Sequence, residues 1–412
     1  MRMKRYVIIG NGTAAAGCIE GIRSVDRDGG ITVVSAEKHH VYSRPLISYY
    51  LEGKTDTERM KYRPDGFYEE NGVRVLFSVR AESFDPDGRT VRLDDGTELG
   101  YDALCVAAGS RPFVPPFEGI EKAENKFCFM TLDDALALER ALTESSRVLI
   151  VGAGLIGLKC AEGILDRVGS VTVCDLADRV LSSILDAECA AVVQKQLEDH
   201  GIDFMLGDSV ARFSKDTAYM KSGKEVPFDI LVLAVGVRAN SELVKNAGGE
   251  VNRGIVVDVR QATSLPSVYA AGDCAEGFDA SIGQNRVLAI LPNAYTEGRT
   301  AGINMAGGDD RFDCAIPMNS VGFFGFHIMT AGSYDGEMTE EREEESVRRF
   351  FTRDGCLIGF IIIGDTVRAG IYTDLIRKKT PLSTVDFDFA KKYASNLIFS
   401  PEIRRKRFGG VV

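Results

Sequence analysis

Short apolar runs that lead into glycine-rich turns mark the first part of the chain. Residues 4–9 (KRYVII) end in four apolar or aromatic side chains, and the glycines and alanines after them continue in a helical pattern to about Arg23. The same order returns at residues 147–164 (RVLIVGAGLIGLKCAEGI). Short apolar runs bounded by turn residues are typical of buried strands. Strands that alternate with helices predict an α/β fold with parallel sheets.

The first glycine turn has the spacing GxGxxA where the strand passes into the helix. Its residues are Gly10, Asn11, Gly12, Thr13, Ala14 and Ala15. Gly10 permits a tight turn, Gly12 lets the backbone approach a pyrophosphate, and Ala15 keeps the helix close to the sheet. The next strand, residues 31–35 (ITVVS), leads to Glu37, a carboxylate placed to accept hydrogen bonds from a ribose diol. Taken alone, this spacing is equally compatible with a plain turn between strand and helix.

A second copy of this unit lies 142 residues downstream. Its turn and helix start comprise Gly152, Ala153, Gly154, Leu155, Ile156 and Gly157. The strand after it (VTVCD) ends on Asp175. Two such units need two dinucleotides, or one dinucleotide and a degenerate relic, and both copies are chemically intact. The sequence therefore predicts two Rossmann-like dinucleotide-binding domains.

A third element, residues 268–275 (VYAAGDCA), has the pattern of a strand that ends in a glycine–aspartate turn. Asp273 can accept hydrogen bonds from a polyol chain, and we expect a helix after it whose N-terminus can face phosphate. A simple aspartate-containing turn is the alternative. Together with residues 107–112 (AAGSRP) and 233–240 (LAVGVRAN), these motifs resemble the two-dinucleotide-binding-domain flavoproteins, the pyridine nucleotide-disulfide oxidoreductase superfamily, over about residues 4–310.

Within that superfamily, residues 41–54 (VYSRPLISYYLEGK) are similar to the branch that contains NADH:rubredoxin reductases and the flavin domain of assimilatory nitrite reductases. The resemblance implies that FAD binds the first glycine unit and contacts Gly10, Gly12, Ala15, Glu37, Arg44, Pro45, Ala108 and Asp273. Further candidate cofactor contacts are Thr13, Ala14, Lys54, Val79, Gly109, Arg111, Gly152, Gly154, Leu155, Ile156, Gly236 and Gly272. A guanidinium at Arg44 can pair with a pyrophosphate bidentately, whereas Lys54 is also compatible with a solvated loop.

The second unit would hold the nicotinamide nucleotide, and Asp175 favours NADH over NADPH. A carboxylate there accepts hydrogen bonds from the ribose hydroxyls and repels a 2′-phosphate. Arg179, four residues later, is the feature that argues for NADPH. The cofactors carry the hydride chemistry, so the sequence identifies no catalytic acid, base or nucleophile.

The cysteines limit what can accept electrons from the flavin. By the same resemblance, thiol-dependent branches have a CxxxxC pair after the first glycine unit or one cysteine near position 43. This chain has Ser43, and no cysteine lies between Cys18 and Cys105. Electrons must therefore leave the flavin for an external acceptor, and we expect a small iron protein such as rubredoxin. The alternatives are an NADH-linked flavin subunit of an iron–sulfur or 2-oxoacid oxidoreductase complex, and an NADH oxidase.

Composition and charge exclude several functional classes and leave the flavoprotein interpretation unchanged. The net charge of −11 argues against nucleic acid as the main partner. Glycines interrupt the first apolar run too early for a signal peptide or membrane span, so we expect a cytoplasmic protein. The nine cysteines are scattered singly, and His39, His40, His200 and His327 have no metal-ligand spacing, which predicts no metal site.

The expected domains are an FAD-binding domain at residues 1–112 and 241–312, an NAD-binding domain at 113–240 and a small C-terminal α/β interface domain at 313–412. The pattern of the C-terminal domain predicts antiparallel strands joined by turns, one of them the charged segment DGEMTEEREEE. We expect the EEREEE run within it to be a solvated hairpin face. By analogy with related flavoproteins, it would cover the flavin and contribute to a homodimer or an acceptor surface. The basic pairs KK (391–392) and RRKR (404–407) can steer an acidic electron carrier, or form a solvated helix face.

Overall fold

The computed structural model describes residues 3–343 and 346–408. In chain order the strands are β1 Arg5–Ile9, β2 Gly30–Ser35, β3 Val73–Phe77, β4 Ala81–Asp85, β5 Thr90–Leu93, β6 Glu98–Gly100, β7 Ala103–Val106, β8 Ser110–Pro112, β9 Lys126–Cys128, β10 Arg147–Val151, β11 Ser170–Asp175, β12 Ile202–Leu206, β13 Val210–Phe213, β14 Thr217–Met220, β15 Glu225–Pro227, β16 Ile230–Leu233, β17 Val237–Ala239, β18 Ile255–Val256, β19 Val268–Ala270, β20 Ala275–Asp279, β21 Gln284–Arg286, β22 Met318–Phe323, β23 Phe326–Gly332, β24 Glu337–Glu343, β25 Ser346–Arg353 and β26 Cys356–Ile363.

The helices are α1 Thr13–Val25, α2 Ile47–Leu51, α3 Phe67–Glu70, α4 Leu132–Ala141, α5 Leu155–Ile164, α6 Ala187–Asp199, α7 Glu242–Asn246, α8 Leu291–Met305, α9 Gly370–Arg377, α10 Phe387–Lys392 and α11 Pro401–Phe408. Short 3-10 turns cover Arg44–Leu46, Ile120–Lys122, Leu165–Arg167, Leu382–Thr384 and Asn396–Ile398. Among the described residues, no helix is both long and apolar enough to span a bilayer.

Two parallel sheets confirm the predicted α/β architecture. The first has the strand order β19–β7–β1–β2–β3, and the second has the order β12–β11–β10–β16–β9. In both sheets the strand before a glycine turn, β1 or β10, lies at the centre, because its neighbours on both sides pair with it in parallel register. Their residues are buried on both faces, which explains why they read as continuous apolar runs.

Each parallel sheet is accompanied by a small antiparallel one, β4–β5–β6 beside the first and β13–β14–β15 beside the second. The ribbon β8–β17 joins the two units, because β8 follows the first sheet and β17 follows the second. The segment after Asp273 is a strand, β20, where the sequence led us to expect a helix. It pairs with β18 and β21, and its Glu276 carboxylate accepts the backbone N–H groups of Arg253 and Gly254. The next helix, α8, starts only at Leu291.

The C-terminal unit is an antiparallel sheet with the order β22–β23–β26–β25–β24. Alternate residues of β26 face opposite sides: Ile361 and Ile363 join the core of the second parallel sheet, whereas Phe360 and Ile362 pack with the C-terminal helices. The charged segment expected to be a turn is the edge strand β24, paired with β25 from Glu337 to Glu343. Glu344 and Glu345 of the EEREEE run lie outside the described residues.

Candidate functional site

The first glycine turn presents a helix N-terminus with free amide donors. Gly10 has φ +112°, and a Cβ there would lie 2.0 Å from the carbonyl oxygen of Ala107, so no other residue fits. Its N–H donates to Val34 at 2.8 Å, which ties the turn to β2. Gly12 is the N-cap of α1 and gives it no side-chain cap, and a Cβ on Gly12 would meet nothing within 4 Å. The first turn of α1 is therefore open to an anionic ligand.

Glu37 and Arg44 lie together at the carboxyl edge of this sheet. The Arg44 guanidinium pairs with one oxygen of Glu37 and donates to the carbonyl of Met130 at 3.2 Å. The other Glu37 oxygen accepts the Tyr42 hydroxyl at 2.7 Å. That hydroxyl in turn accepts the N–H of Leu132 at 2.9 Å, where α4 begins. Both charges are thus preorganised, and the arginine side chain remains 42% exposed.

Asp273 supplies a carboxylate on the opposite side of the first turn. Ser110 donates its hydroxyl to this carboxylate at 3.1 Å. Burial raises the pKa of Asp273, which Ser110 and the positive charge of Arg44 partly offset. Gly272, before it, donates its N–H at 2.7 Å to the fully buried Glu297 of α8. Burial raises the pKa of Glu297 to about 8, and the nearby Asp273 charge adds to the shift.

The other candidates from the first unit lie along the same edge. Val79 donates its N–H to Ser35 at 3.0 Å, beside the loop that carries Glu37. Ala108 and Gly109, just after β7, offer carbonyls that Asn240 holds at 2.8 and 2.9 Å. Thr13, Ala14 and Ala15 form the start of α1, with both alanines buried, and Pro45 lies in the 3-10 turn after Arg44. Open amides and one guanidinium are hydrogen-bond donors here, and two carboxylates are acceptors. Together these groups suit an adenine dinucleotide with a polyol chain.

The second glycine turn repeats this geometry. Gly152 has φ +119°, and a Cβ there would lie 2.2 Å from the carbonyl oxygen of Ala234. Gly154 is the N-cap of α5, and a Cβ on it would meet nothing within 4 Å. Leu155 and Ile156 open the helix, and Ile156 is 37% exposed. Gly236, at φ +110°, lies after β16 and accepts the N–H of Phe113.

Asp175 has a structural role in the second glycine turn that the sequence did not predict. Its carboxylate accepts the N–H of Ala153, inside the glycine turn, at 2.7 Å, and the N–H of Ala177 at 2.8 Å. A carboxylate can accept about four hydrogen bonds, so ribose hydroxyls can still be bound. Arg179 is tied to Asp178 at 2.7 Å and to the carbonyl of Leu185 at 3.3 Å. Leu176, directly after Asp175, is 71% exposed and adds no positive charge.

Two of the predicted cofactor contacts, Arg111 and Lys54, are bonded to other protein side chains. Arg111, on the ribbon β8–β17, bonds Asn240 at 2.9 Å and Glu242 at 3.0 Å, so it ties the ribbon to α7. Lys54 pairs with Glu52 at the end of α2, where α2 meets α5 of the second unit. Sequence reasoning also passed over Glu297, Ser110 and Tyr42. The signal for Glu297 was a carboxylate within a run of small residues. Ser110 and Tyr42 lie within the motifs AAGSRP and VYSRPLISYYLEGK, and those motifs were the signal for them.

The thiols are unsuited to relay electrons. Six cysteines are buried, and Cys128, Cys314 and Cys356 are partly buried. Cys274 follows Asp273 directly, but its Sγ turns into the core, 3.3 Å from the carbonyl oxygen of Val106. Burial raises its pKa to about 12 and likewise raises that of Cys174 and Cys189 to about 12. Within residues 3–343 and 346–408, no group of three or more histidine, cysteine or acidic side chains is placed to hold a metal ion.

A family model described as pyridine nucleotide-disulphide oxidoreductase matches residues 4–298. The chain belongs to this family. The epsilon subunit of the NADH-dependent phenylglyoxylate dehydrogenase of Aromatoleum evansii is 32% identical to it over 393 residues, which span 92% of this chain and 93% of that subunit. The rubredoxin-NAD(+) reductase of Pseudomonas putida is 30% identical over 308 residues, spanning 73% of this chain and 80% of that protein.

A chain in the crystal structure of the covalent putidaredoxin reductase–putidaredoxin complex superposes with a TM-score of 0.87 and 25% identity, over 96% of this chain and 97% of that one. Family membership confirms the fold class and the cofactors expected from the sequence. The protein is an FAD-dependent NADH oxidoreductase of this family. When bound, the flavin accepts a hydride from NADH and can release the electrons one at a time.

Proposed function

We propose that this protein takes electrons from NADH on its second parallel sheet, passes them through FAD on its first, and delivers them singly to a small iron protein of the rubredoxin type. The observation that carries the proposal is the distribution of thiols. Position 43 is serine, and the cysteine beside the flavin turn, Cys274, is buried with a raised pKa. Cys18 and Cys105 contact each other, but both are fully buried and the pKa of Cys105 is raised. They are therefore unsuited to a dithiol relay, and the acceptor must approach the flavin itself.

The residues of the first unit fit FAD in this role. The amides at the start of α1 and the Arg44 guanidinium would neutralise the pyrophosphate. Glu37 would accept hydrogen bonds from the adenosine ribose, and Asp273 from the ribityl chain. In the second unit, the start of α5 would hold the NADH pyrophosphate and Asp175 its ribose. One NADH supplies two electrons and so reduces two one-electron acceptors, with release of one proton.

The second candidate is an NADH-linked flavin subunit of a larger complex. It is favoured by the phenylglyoxylate dehydrogenase epsilon subunit, because the match spans nearly all of both chains. In that case an iron–sulfur partner subunit takes the place of the free carrier and the flavin chemistry is unchanged. NADH is a cytoplasmic reductant, which supports a cytoplasmic location for either form.

Anaerobic stopped-flow spectroscopy tests the proposal. The flavin is reduced with one equivalent of NADH and then mixed with rubredoxin, ferredoxin, a disulfide or oxygen. We expect reoxidation by rubredoxin to be the fastest, and rapid reoxidation by the disulfide would contradict the proposal. Fast reoxidation by oxygen alone would indicate an oxidase. Size-exclusion chromatography of native material separates the two leading candidates, because a subunit elutes with its partners.

A further inference from the structure

Four charged side chains form a cluster where the three units of the fold meet; three of them are largely buried, and the fourth, Lys54, is 58% exposed. We call Glu52, Lys54, Lys159 and Glu162 the junction cluster. Lys159 pairs with Glu162, and its Nζ lies 3.7 Å from Oε1 of Glu52, whose Oε2 pairs with Lys54. The side chains of Glu162, Glu52 and Lys159 are only 4%, 7% and 14% exposed. Charges are rarely buried to this extent unless they are paired or functional.

The junction cluster also holds the C-terminal unit in place. Glu162 accepts the backbone N–H of Phe324 at 2.7 Å, and Lys159 donates to the carbonyl of Gly322 at 3.3 Å, both in the β22–β23 hairpin. The ammonium of Lys159 lies 4.6 Å from the centre of the Tyr49 ring of α2. Lys159 is thus fixed between α2, α5 and the hairpin, and it is not a mobile surface lysine.

One polar atom of the junction cluster is left unsatisfied. Glu52 Oε1 is buried and accepts no hydrogen bond from the described residues. A buried acceptor without a donor costs about 1–3 kcal/mol. This oxygen faces the Lys159 ammonium at 3.7 Å, so the attraction between the two charges offsets part of that cost.

The position of Lys159 relates the junction cluster to both cofactor sites. Lys159 lies five residues after Gly154, about 7.5 Å along α5 from the second glycine turn. The facing helix α2 follows directly on Arg44 and Pro45 of the first unit. In the proposed function, NADH held by its phosphates at the start of α5 would extend its nicotinamide toward FAD in the first unit. The reacting half of the nucleotide would then cross the boundary that the junction cluster occupies.

We propose that Lys159 supplies a fixed, buried positive charge at this boundary that favours hydride transfer to a flavin bound in the first unit. The inference rests on the proposed function, in which FAD occupies the first unit. Hydride transfer moves one proton and two electrons from NADH, which becomes NAD⁺, to the flavin, which gains one negative charge. A fixed cation nearby stabilises that charge without reorganisation. Glu162 holds the cation in place, and Glu52 opposes its effect.

Flavin midpoint potentials, measured by reductive titration against a reference dye, test this role. Lys159→Gln removes the buried positive charge, so we expect the ratio of reduced to oxidised flavin at a given potential to fall at least tenfold, about 30 mV for a two-electron couple. Glu52→Gln removes a buried negative charge, and the potential should rise. Lys159→Arg keeps the charge and should restore the wild-type value. The matched control is Lys195→Gln on α6, where Lys195 forms an exposed pair with Asp199 at 3.4 Å.

The two opposite signs separate an electrostatic role from a structural one. Shifts in the same direction, or none, for Lys159→Gln and Glu52→Gln in proteins that retain FAD would overturn the inference. If Lys159→Gln fails to fold, Glu52→Gln decides alone, and an unchanged potential overturns it. A wild-type protein that retains no flavin, or whose flavin NADH cannot reduce, would instead overturn the proposed function.

Discussion

The Asp175 carboxylate accepts the backbone N–H of Ala153 at 2.7 Å, so the residue expected to bind the NADH ribose also shapes the turn that receives the phosphates. A second bond, from Ala177 at 2.8 Å, fixes its rotamer. The first unit is built differently, since Glu37 there is held by Arg44 and Tyr42. A change at Asp175 therefore has two consequences that a single alanine variant would confuse.

Comparing Asp175→Asn with Asp175→Ala separates these consequences. The asparagine keeps one acceptor for the turn but removes the charge that repels a 2′-phosphate. We expect it to narrow the ratio of kcat/KM for NADH over NADPH about tenfold, about 1.4 kcal/mol, and to lower the unfolding free energy by about 1 kcal/mol, because one of the two backbone bonds is lost. The alanine should narrow the ratio and also lower the unfolding free energy by about 2 kcal/mol, because two charge-assisted bonds are lost. Asp199→Ala, at the exposed end of α6, is the control; an unchanged ratio for Asp175→Asn would contradict the assignment of Asp175 to the ribose.

Alanine at the second glycine of each turn should assign one cofactor to each unit. Gly12 and Gly154 have φ of −96° and −84°, which alanine adopts without strain, and a Cβ on either would meet no protein atom within 4 Å. The added methyl group instead occupies the space that a pyrophosphate needs. We expect Gly12→Ala to fold normally and to lose FAD, measured as flavin absorbance per protein. Gly154→Ala should keep FAD and raise the Kd for NADH at least tenfold.

Gly10→Ala is the contrasting variant for this pair. Its Cβ would collide with the Ala107 carbonyl at 2.0 Å, and φ is +112°, so the protein itself should be destabilised. Loss of FAD from Gly154→Ala with retention by Gly12→Ala would reverse the proposed assignment of the two units.

Glu297 should make the stability of the protein depend on pH. Burial raises its pKa from 4.5 to about 8, so between these values the unfolded chain releases a proton that the folded protein keeps. The stability that the neutral carboxyl allows is full below pH 4.5 and is lost as the pH rises toward 8, by up to about 1.4 kcal/mol per pH unit. Glu297→Gln keeps an acceptor for Gly272 and cannot ionise. In urea unfolding at saturating FAD, the unfolding free energy of the variant relative to wild type should rise from pH 5 to pH 8. Parallel pH profiles of the two proteins would show that Glu297 does not titrate in this range.

The sequence was most informative where one backbone geometry admits few residues. Gly10 and Gly152 could be identified because only glycine tolerates their φ and the carbonyl against them, and short-range spacing records that constraint. The roles of Ser110 and Glu297 could not be identified, because Ser110 meets Asp273 across 163 residues and Glu297 meets Gly272 across 25, and such contacts leave no local pattern. The expected helix after Asp273 failed for a related reason: pairing with β18 and β21 made that segment a strand.

The last test concerns the basic C-terminal helices α10 and α11, and asks whether an electron acceptor approaches the protein on their side. Lys392 and Arg405 are exposed, whereas Lys391 is paired with Asp388 at 2.8 Å and only 19% exposed; the side chain of Arg407 lies outside the described residues. On a protein of net charge −11, such a basic region would be the favourable side for an acidic carrier. We expect the second-order rate constant for reduction of an acidic rubredoxin to fall with rising ionic strength.

The double variant Lys392→Glu/Arg405→Glu should lower that rate constant about tenfold at low salt and converge with wild type at high salt, since steering acts on the encounter and not on the bound complex. Lys215→Glu, 69% exposed between β13 and β14, makes half of this charge change in the second unit and should lower the rate constant by much less than half as much on a logarithmic scale. Reduction of the flavin by NADH should be equal in all three proteins. A rate constant that does not depend on salt, or an equal effect of Lys215→Glu per unit of charge, would mean that the basic residues are a solvated helix face and that the carrier docks elsewhere.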